Sequence, residues 1–205
     1  MPAEFISIHP VNPEPRKIAQ VLEVLKKGGI VIYPTDTVYG MGCDSHNARA
    51  VERIAQIKGI RPEKSDFSII CNDLSHIADY AKVSDVAFKV MKKVLPGPYT
   101  FVLTASTQLP RSLNPRKKTI GIRIPDHPIT QAIVSELGNP IITTSIKSED
   151  DFMEYPTDPE EIFHVFQHKV DLVIDGGPGG LIPSTIIDAT DNALEVIRQG
   201  LGEWD

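Results

Sequence analysis

A chain of 205 residues is long enough to fold as one ordinary domain with a sizeable core, without a metal or disulfide staple. Hydrophobic residues at 41% and charged residues at 23% are globular values and exclude disordered, collagen-like and low-complexity classes. The net charge of −6, from 21 basic and 27 acidic residues, excludes a protein that coats nucleic acid indiscriminately.

Two cysteines, Cys43 and Cys71, are too few for a disulfide framework or a four-thiolate zinc site. No run approaches the ~18 uninterrupted apolar residues of a membrane span. The start, Met1-Pro-Ala-Glu-Phe5, has no basic region ahead of an apolar stretch, so no signal peptide is expected. The expectation is one cytoplasmic domain over residues 1–205.

The elements alternate along the chain. A strand near Phe5–Ile8 precedes a helix with Asn12 as cap and Pro13 at its first position, burying Ile18, Val21, Leu22 and Leu25. Gly28-Gly29 ends that helix, and Ile30–Tyr33 is a buried strand stopped by Pro34. Asn47 caps a second helix facing inward through Val51, Ile54 and Ala55. Phe67–Cys71 reads as a strand, and Ser84–Leu95 as a helix closed by Pro96-Gly97-Pro98. Tyr99–Thr104 and Thr119–Ile124 are strands, Pro128–Leu137 is a helix ended by Gly138, and Ile141–Thr144 is a strand. Thr157-x-x-Glu160 is a capping box for a helix through Phe166. Val170–Ile174, Ser184–Asp188 and Leu194–Arg198 complete the strands, the last two flanking an Asp191-Asn192 turn. This order predicts an α/β fold with a mixed, twisted sheet and flanking helices.

Charge is uneven along the chain. Arg111, Arg116, Lys117, Lys118 and Arg123 lie in a stretch from Ala105 to Arg123 that holds no acid. Nine acids between Thr144 and Asp175 face only Lys147 and Lys169. Charge alone leaves open both a local anion site and a solvated basic loop.

Five sets of residues carry polar chemistry. Tyr33-Pro-Thr-Asp-Thr-Val-Tyr-Gly-Met-Gly42 follows a buried strand, where open α/β sheets place ligands, and its glycines allow close backbone approach. It is neither a dinucleotide fingerprint nor a Walker loop. Lys58-Gly-Ile-Arg61 reads either as a helix C-terminus favoured by the dipole or as a phosphate clamp. Arg123 sits inside the apolar strand Thr119–Ile124; arginine is rarely buried unless paired, so it suits a carboxylate or phosphate, or else a structural ion pair. Thr143-Thr-Ser145 ends another strand in hydroxyls, and Ser184, Thr185 and Arg198 form a late polar set. His164 and His168 are four apart on one helix, but with no third ligand nearby they read as surface histidines, so no metal site is expected. No nucleophile with an evident base appears.

Taken together, the segments Tyr33–Asp44, Pro96–Phe101, Ile120–Pro128, Thr143–Ser145 and Pro183–Asp188 resemble, in order and spacing, the YrdC/YciO-like domain family. His9-Pro-x-Asn-Pro13 and Asp171–Gly177 are most similar to its YciO branch. The resemblance implies a twisted mixed sheet around a large, basic, concave cavity. It also implies threonylcarbamoyl-AMP synthase chemistry: L-threonine, bicarbonate and ATP, with Mg²⁺, condense to threonylcarbamoyl-adenylate and pyrophosphate for t6A modification of tRNA. The alternatives are a double-stranded RNA or tRNA-binding protein without synthase activity, and a hydrolase of a related adenylate. The carbamate itself attacks phosphorus, so no protein nucleophile is required, and catalysis rests on positioning and cations.

Position by position, the resemblance implies that Thr35, Arg123, Thr143 and Ser184 hold threonine. It implies that Lys58, Thr119, Ser145 and Arg198 hold ATP, and that Lys58 and Arg61 form the catalytic cation motif. Two departures stand out. The family's K-x-R is one residue longer here, and its S-x-N reads Ser145-Ile-Lys147, which exchanges an acceptor-bearing amide for three donors. The role of the acidic segment 149–161 and the oligomeric state are not set by the sequence.

Overall fold

The computed structural model describes residues 2–61, 67–107, 109, 113, 118–147 and 155–204. The first half of the chain runs β1 (Glu4–Ser7), α1 (Pro15–Lys26), β2 (Val31–Tyr33), β3 (Gly40–Asp44), α2 (Ala48–Ile57), β4 (Ser68–Ile70), α3 (Ile77–Tyr80), β5 (Ala81–Lys82) and α4 (Asp85–Val94). It continues through β6 (Tyr99–Ala105), β7 (Thr119–Arg123), α5 (Pro128–Leu137), β8 (Ile141–Ser145), α6 (Pro159–Phe166), β9 (Leu172–Asp175), β10 (Thr185–Asp188) and β11 (Glu195–Arg198). The strands form one mixed sheet in the order β1-β9-β2-β3-β8-β4-β7-β6-β10-β11, with β5 paired to β6. The expected α/β class and mixed sheet are therefore found. No helix among the described residues is long and apolar enough to cross a membrane.

The register decides where a site can lie, because side chains alternate between the two faces of a sheet. One face carries Ile32, Met41, Cys43, Ile142, Ile69, Ile122, Phe101 and Leu103. It is covered by the buried residues of α2, α4 and α6, among them Ile54, Met91 and Ile162. The other face begins with Leu172, Val31, Ile141 and Ile70, packed under Leu22 and Leu25 of α1 and Ile133 and Val134 of α5. Farther along the same face the pattern turns polar: Thr143 opposes Ser68, Ser68 opposes Gly121, and Thr100 opposes Ile186 of β10. Helices α1 and α5 bury the apolar half, and the polar half is left for a ligand.

Three local expectations are corrected. The first helix starts at Pro15 with Glu14 as its cap, not at Asn12-Pro13. Both prolines suit a first helical position, but the ring Nδ1 of His9 accepts from the N–H groups of Val11 and Asn12 and holds them in a turn. The last helix is capped by Asp158, whose Oδ1 accepts from Glu160 N at 2.8 Å, so Thr157 is not the cap. The segment Gly40–Asp44 is a central strand, β3, which its two glycines concealed. The short α3 and β5 were also not foreseen. Pairing of β10 with β11 is antiparallel, as the turn residues suggested.

Cys43 and Cys71 are buried free thiols, and burial pushes both up to about 12. An unfolded chain releases those protons from about pH 8.5, so thiol-linked stability is intact below that pH and declines as pH rises toward 12. Thiol reagents at pH 8 are expected to label both cysteines only in denaturant. Rapid labelling of the native protein would contradict their burial.

Candidate functional site

The polar half of the sheet encloses a cavity of about 320 Å³, walled by the ends of β3 and β8, by Ser68 and Thr100, and by Pro183, Ser184 and Ile186 with Arg198. Arg123 lies in its wall at the last position of β7, where the apolar alternation of Ile120, Ile122 and Ile124 sends its neighbours into the core. Its side chain is 11% exposed and pairs with Asp36, itself 9% exposed. Nη2 donates to Asp36 Oδ1 at 3.2 Å and to Thr37 Oγ1 at 3.0 Å. The buried Nε has no hydrogen-bond partner among the described residues. Asp36 is fixed from the other side by Asp126 N at 3.0 Å. Burial raises the Asp36 carboxyl above its usual range, while the Arg123 charge and the Asp126 N–H oppose the rise. Burial likewise lowers the Arg123 guanidinium, and Asp36 counteracts that. The guanidinium is therefore held in place by one carboxylate while a donor stays available.

Hydroxyls surround it. Tyr33 donates from its buried phenol to Thr143 Oγ1 at 2.6 Å, and burial holds that phenol well above its ordinary range. Thr143 is thereby an acceptor toward Tyr33 and keeps its own proton for a ligand. Thr100 Oγ1 and Ser184 Oγ lie 2.8 Å apart, and Arg198 Nη2 donates to Ser184 O at 2.8 Å. Arg123 and Arg198 are the charged residues of the lining, so the cavity favours an anion.

The structure brings Arg123, Thr143, Ser145, Ser184 and Arg198 to one cavity. Thr35 is buried behind it; its Oγ1 meets Thr37 Oγ1 at 3.1 Å and donates to Val38 O at 2.7 Å, supporting the loop that presents Thr37. Thr119 lies on the same face of β7 as Arg123, opposite Thr104, outside the lining. Lys58 ends α2, and its ammonium donates to Ser145 O at 2.9 Å and to Lys147 O. Arg61 is exposed and does not line the cavity. Asp36, Thr37 and Tyr33 were not singled out beforehand. A buried arginine calls for a carboxylate, and Asp36 at the end of a buried strand was the available signal.

Arg111, Arg116 and Lys117, and residues 149–154 of the acidic segment 149–161, lie outside the described residues. Among the described residues no three His, Cys, Asp or Glu side chains gather to hold a metal. A second cavity of about 390 Å³ opens at the opposite end of β4 and β8, near Asp73, His76 and Asp79. Its His76 and Asp79 are exposed and lie 3.7 Å apart, and it holds no buried charge.

Residues 23–200 match the family model described as telomere recombination, shared by Sua5, YciO and YrdC. The crystal structure of Escherichia coli YciO superimposes with a TM-score of 0.90 at 41% identity, covering 98% of this chain and 97% of that one. A threonylcarbamoyl-AMP synthase of Bacillus subtilis is 32% identical over 190 residues, 90% of this chain and 53% of its own length. The structure of P. abyssi Sua5 complexed with L-threonine matches with a TM-score of 0.85 at 29% identity, covering 96% of this chain and 57% of that one.

Proposed function

The chain belongs to the Sua5/YciO/YrdC family, and from that premise we propose that it joins L-threonine, bicarbonate and ATP into threonylcarbamoyl-adenylate. The observation that carries the reading is Arg123: a buried guanidinium, fixed by Asp36, with an unpartnered Nε–H in a hydroxyl-lined cavity. That group suits the threonine carboxylate, with Thr143 and Ser184 beside it and Thr35 supporting the loop behind.

The chemistry asks little else of the protein. The threonine amine and bicarbonate give a carbamate with loss of water. A carbamate oxygen then attacks the α-phosphorus of ATP, and the bond to pyrophosphate breaks. The nucleophile belongs to the substrate, so the residues' work is orientation and charge neutralisation. Mg²⁺ enters with ATP as part of the substrate. Ser145 and Arg198 lie toward the nucleotide side in this reading, with Lys58 and Thr119 nearby and Arg61 outside the cavity. The product would serve t6A modification of tRNA.

The test is pyrophosphate release from ATP by folded protein, with and without threonine and bicarbonate. Release that requires both co-substrates is expected. No release under any combination would remove the synthase reading. AMP released from ready-made threonylcarbamoyl-adenylate, with no pyrophosphate formed from ATP, would put a hydrolase in its place.

A further inference from the structure

We propose that Lys147, rather than Lys58, is the cation that meets the nucleotide's polyphosphate, and that Lys58 is a tether holding the end of β8. The inference rests on the reading that this cavity takes ATP. It gives to Lys147 the phosphate contact that the resemblance implies for Lys58.

Lys58 is committed to the main chain. An ammonium has three donors, and Lys58 places two of them on the carbonyls of Ser145 and Lys147. Both carbonyls belong to the segment that leaves β8, so the contact ties the end of α2 to that segment. Engaging a phosphate would mean breaking bonds that hold the wall of the cavity. The Lys147 carbonyl also accepts from Ser145 Oγ at 3.3 Å, so the backbone of residue 147 is held twice.

The side chain of Lys147 is placed differently. Its Nζ stands 5.2 Å from the centroid of the Tyr155 ring, and Tyr155 lines the cavity. A cation over a partly exposed ring is held by only about 0.5–1 kcal/mol. A charge-assisted bond to a phosphate oxygen is stronger, so an incoming polyanion can draw the ammonium off the ring. A fixed backbone with a loosely parked charge is a sound arrangement for a phosphate-binding lysine. Of the two arginines in the lining, Arg123 is paired with Asp36 and assigned to the threonine carboxylate, and Arg198 is engaged in part by Ser184 O. At the Ser145 end of the cavity, Lys147 is the charge the structure offers.

The test is calorimetric titration of ATP, AMP and inorganic tripolyphosphate into the wild type and the Lys147→Met, Lys147→Arg and Lys58→Met variants, with a thermal melt of each. Lys147→Met is expected to lose about tenfold or more in affinity for ATP and tripolyphosphate, with AMP unchanged, and Lys147→Arg to keep most of it. Lys58→Met is expected to melt lower and to weaken ATP and AMP alike. Unchanged ATP affinity in folded Lys147→Met would overturn the inference while leaving the proposed function standing. So would a Lys58→Met variant that melts normally and loses ATP but not AMP. Lys147-dependent binding of tripolyphosphate without binding of ATP would overturn the proposed function and, with it, the inference that rests on a nucleotide in this cavity. A wild type that binds neither would overturn both.

Discussion

Replacing Arg123 by methionine is expected to abolish L-threonine binding and to destabilise the protein by about 3–5 kcal/mol. The stability loss comes from what remains behind. Asp36 is 9% exposed, and without the guanidinium its charge is left buried against the backbone N–H groups of Asp126 and of Asp36 itself, with no cation to balance it. The binding loss has a separate cause, the missing fork that would receive a carboxylate. The two effects can be separated by pairing Arg123→Met with Asp36→Asn, which removes both charges. The double variant should regain much of the lost melting temperature and none of the threonine affinity. Arg123→Lys should be intermediate, since lysine keeps the charge but not the planar pair of donors. Calorimetry with L-threonine on each variant, beside thermal melts, reads both effects. Threonine binding that persists in folded Arg123→Met would remove this residue from the site.

Much of this site could be read before the fold was known, for reasons that differ from residue to residue. Arg123 declared itself because a cation inside the apolar run Ile120–Ile124 needs a partner. Its partner did not, because Asp36 lies 87 positions away and the pairing exists only once β7 passes the loop after β2. Helices α1, α2 and α5 were legible from their apolar faces, and α2 and α5 begin where Asn47 and Pro128 placed them, whereas the start of α1 depended on hydrogen bonds that spacing does not encode. The choice between Asn12 and Glu14 turned on the ring of His9. The motif around Lys58 was legible as a cation cluster and misleading as to contacts. Its carbonyl partners come from the other end of the fold, 87 and 89 positions away. Which face was polar became visible only with the register, since Thr143, Ser68 and Gly121 share one side through three separate strands.

The least legible element, β3, was hidden by its glycines, and these make a second strong prediction. A Cβ on Gly42 would lie 2.5 Å from Ile142 O and 2.8 Å from Tyr33 Oη. The carbonyl is fixed by pairing of β3 with β8 and cannot retreat, so the strands must part or Tyr33 must leave Thr143. Gly42→Ala is expected to destabilise by about 1–3 kcal/mol and to lower the melting temperature by several degrees. Gly121 differs. Its Cβ would lie 2.3 Å from Ser68 Oγ and 3.3 Å from Thr100 Cγ2, both on residues that wall the cavity. A serine hydroxyl can turn to another rotamer, so the fold accommodates the methyl and the cavity loses its shape. Gly121→Ala is expected to melt within about 2 °C of the wild type and to bind threonine on the order of tenfold more weakly. The pair thus separates a glycine demanded by strand packing from one demanded by the ligand. Equal losses of melting temperature in both variants would show that Gly121, too, serves only the packing of the sheet.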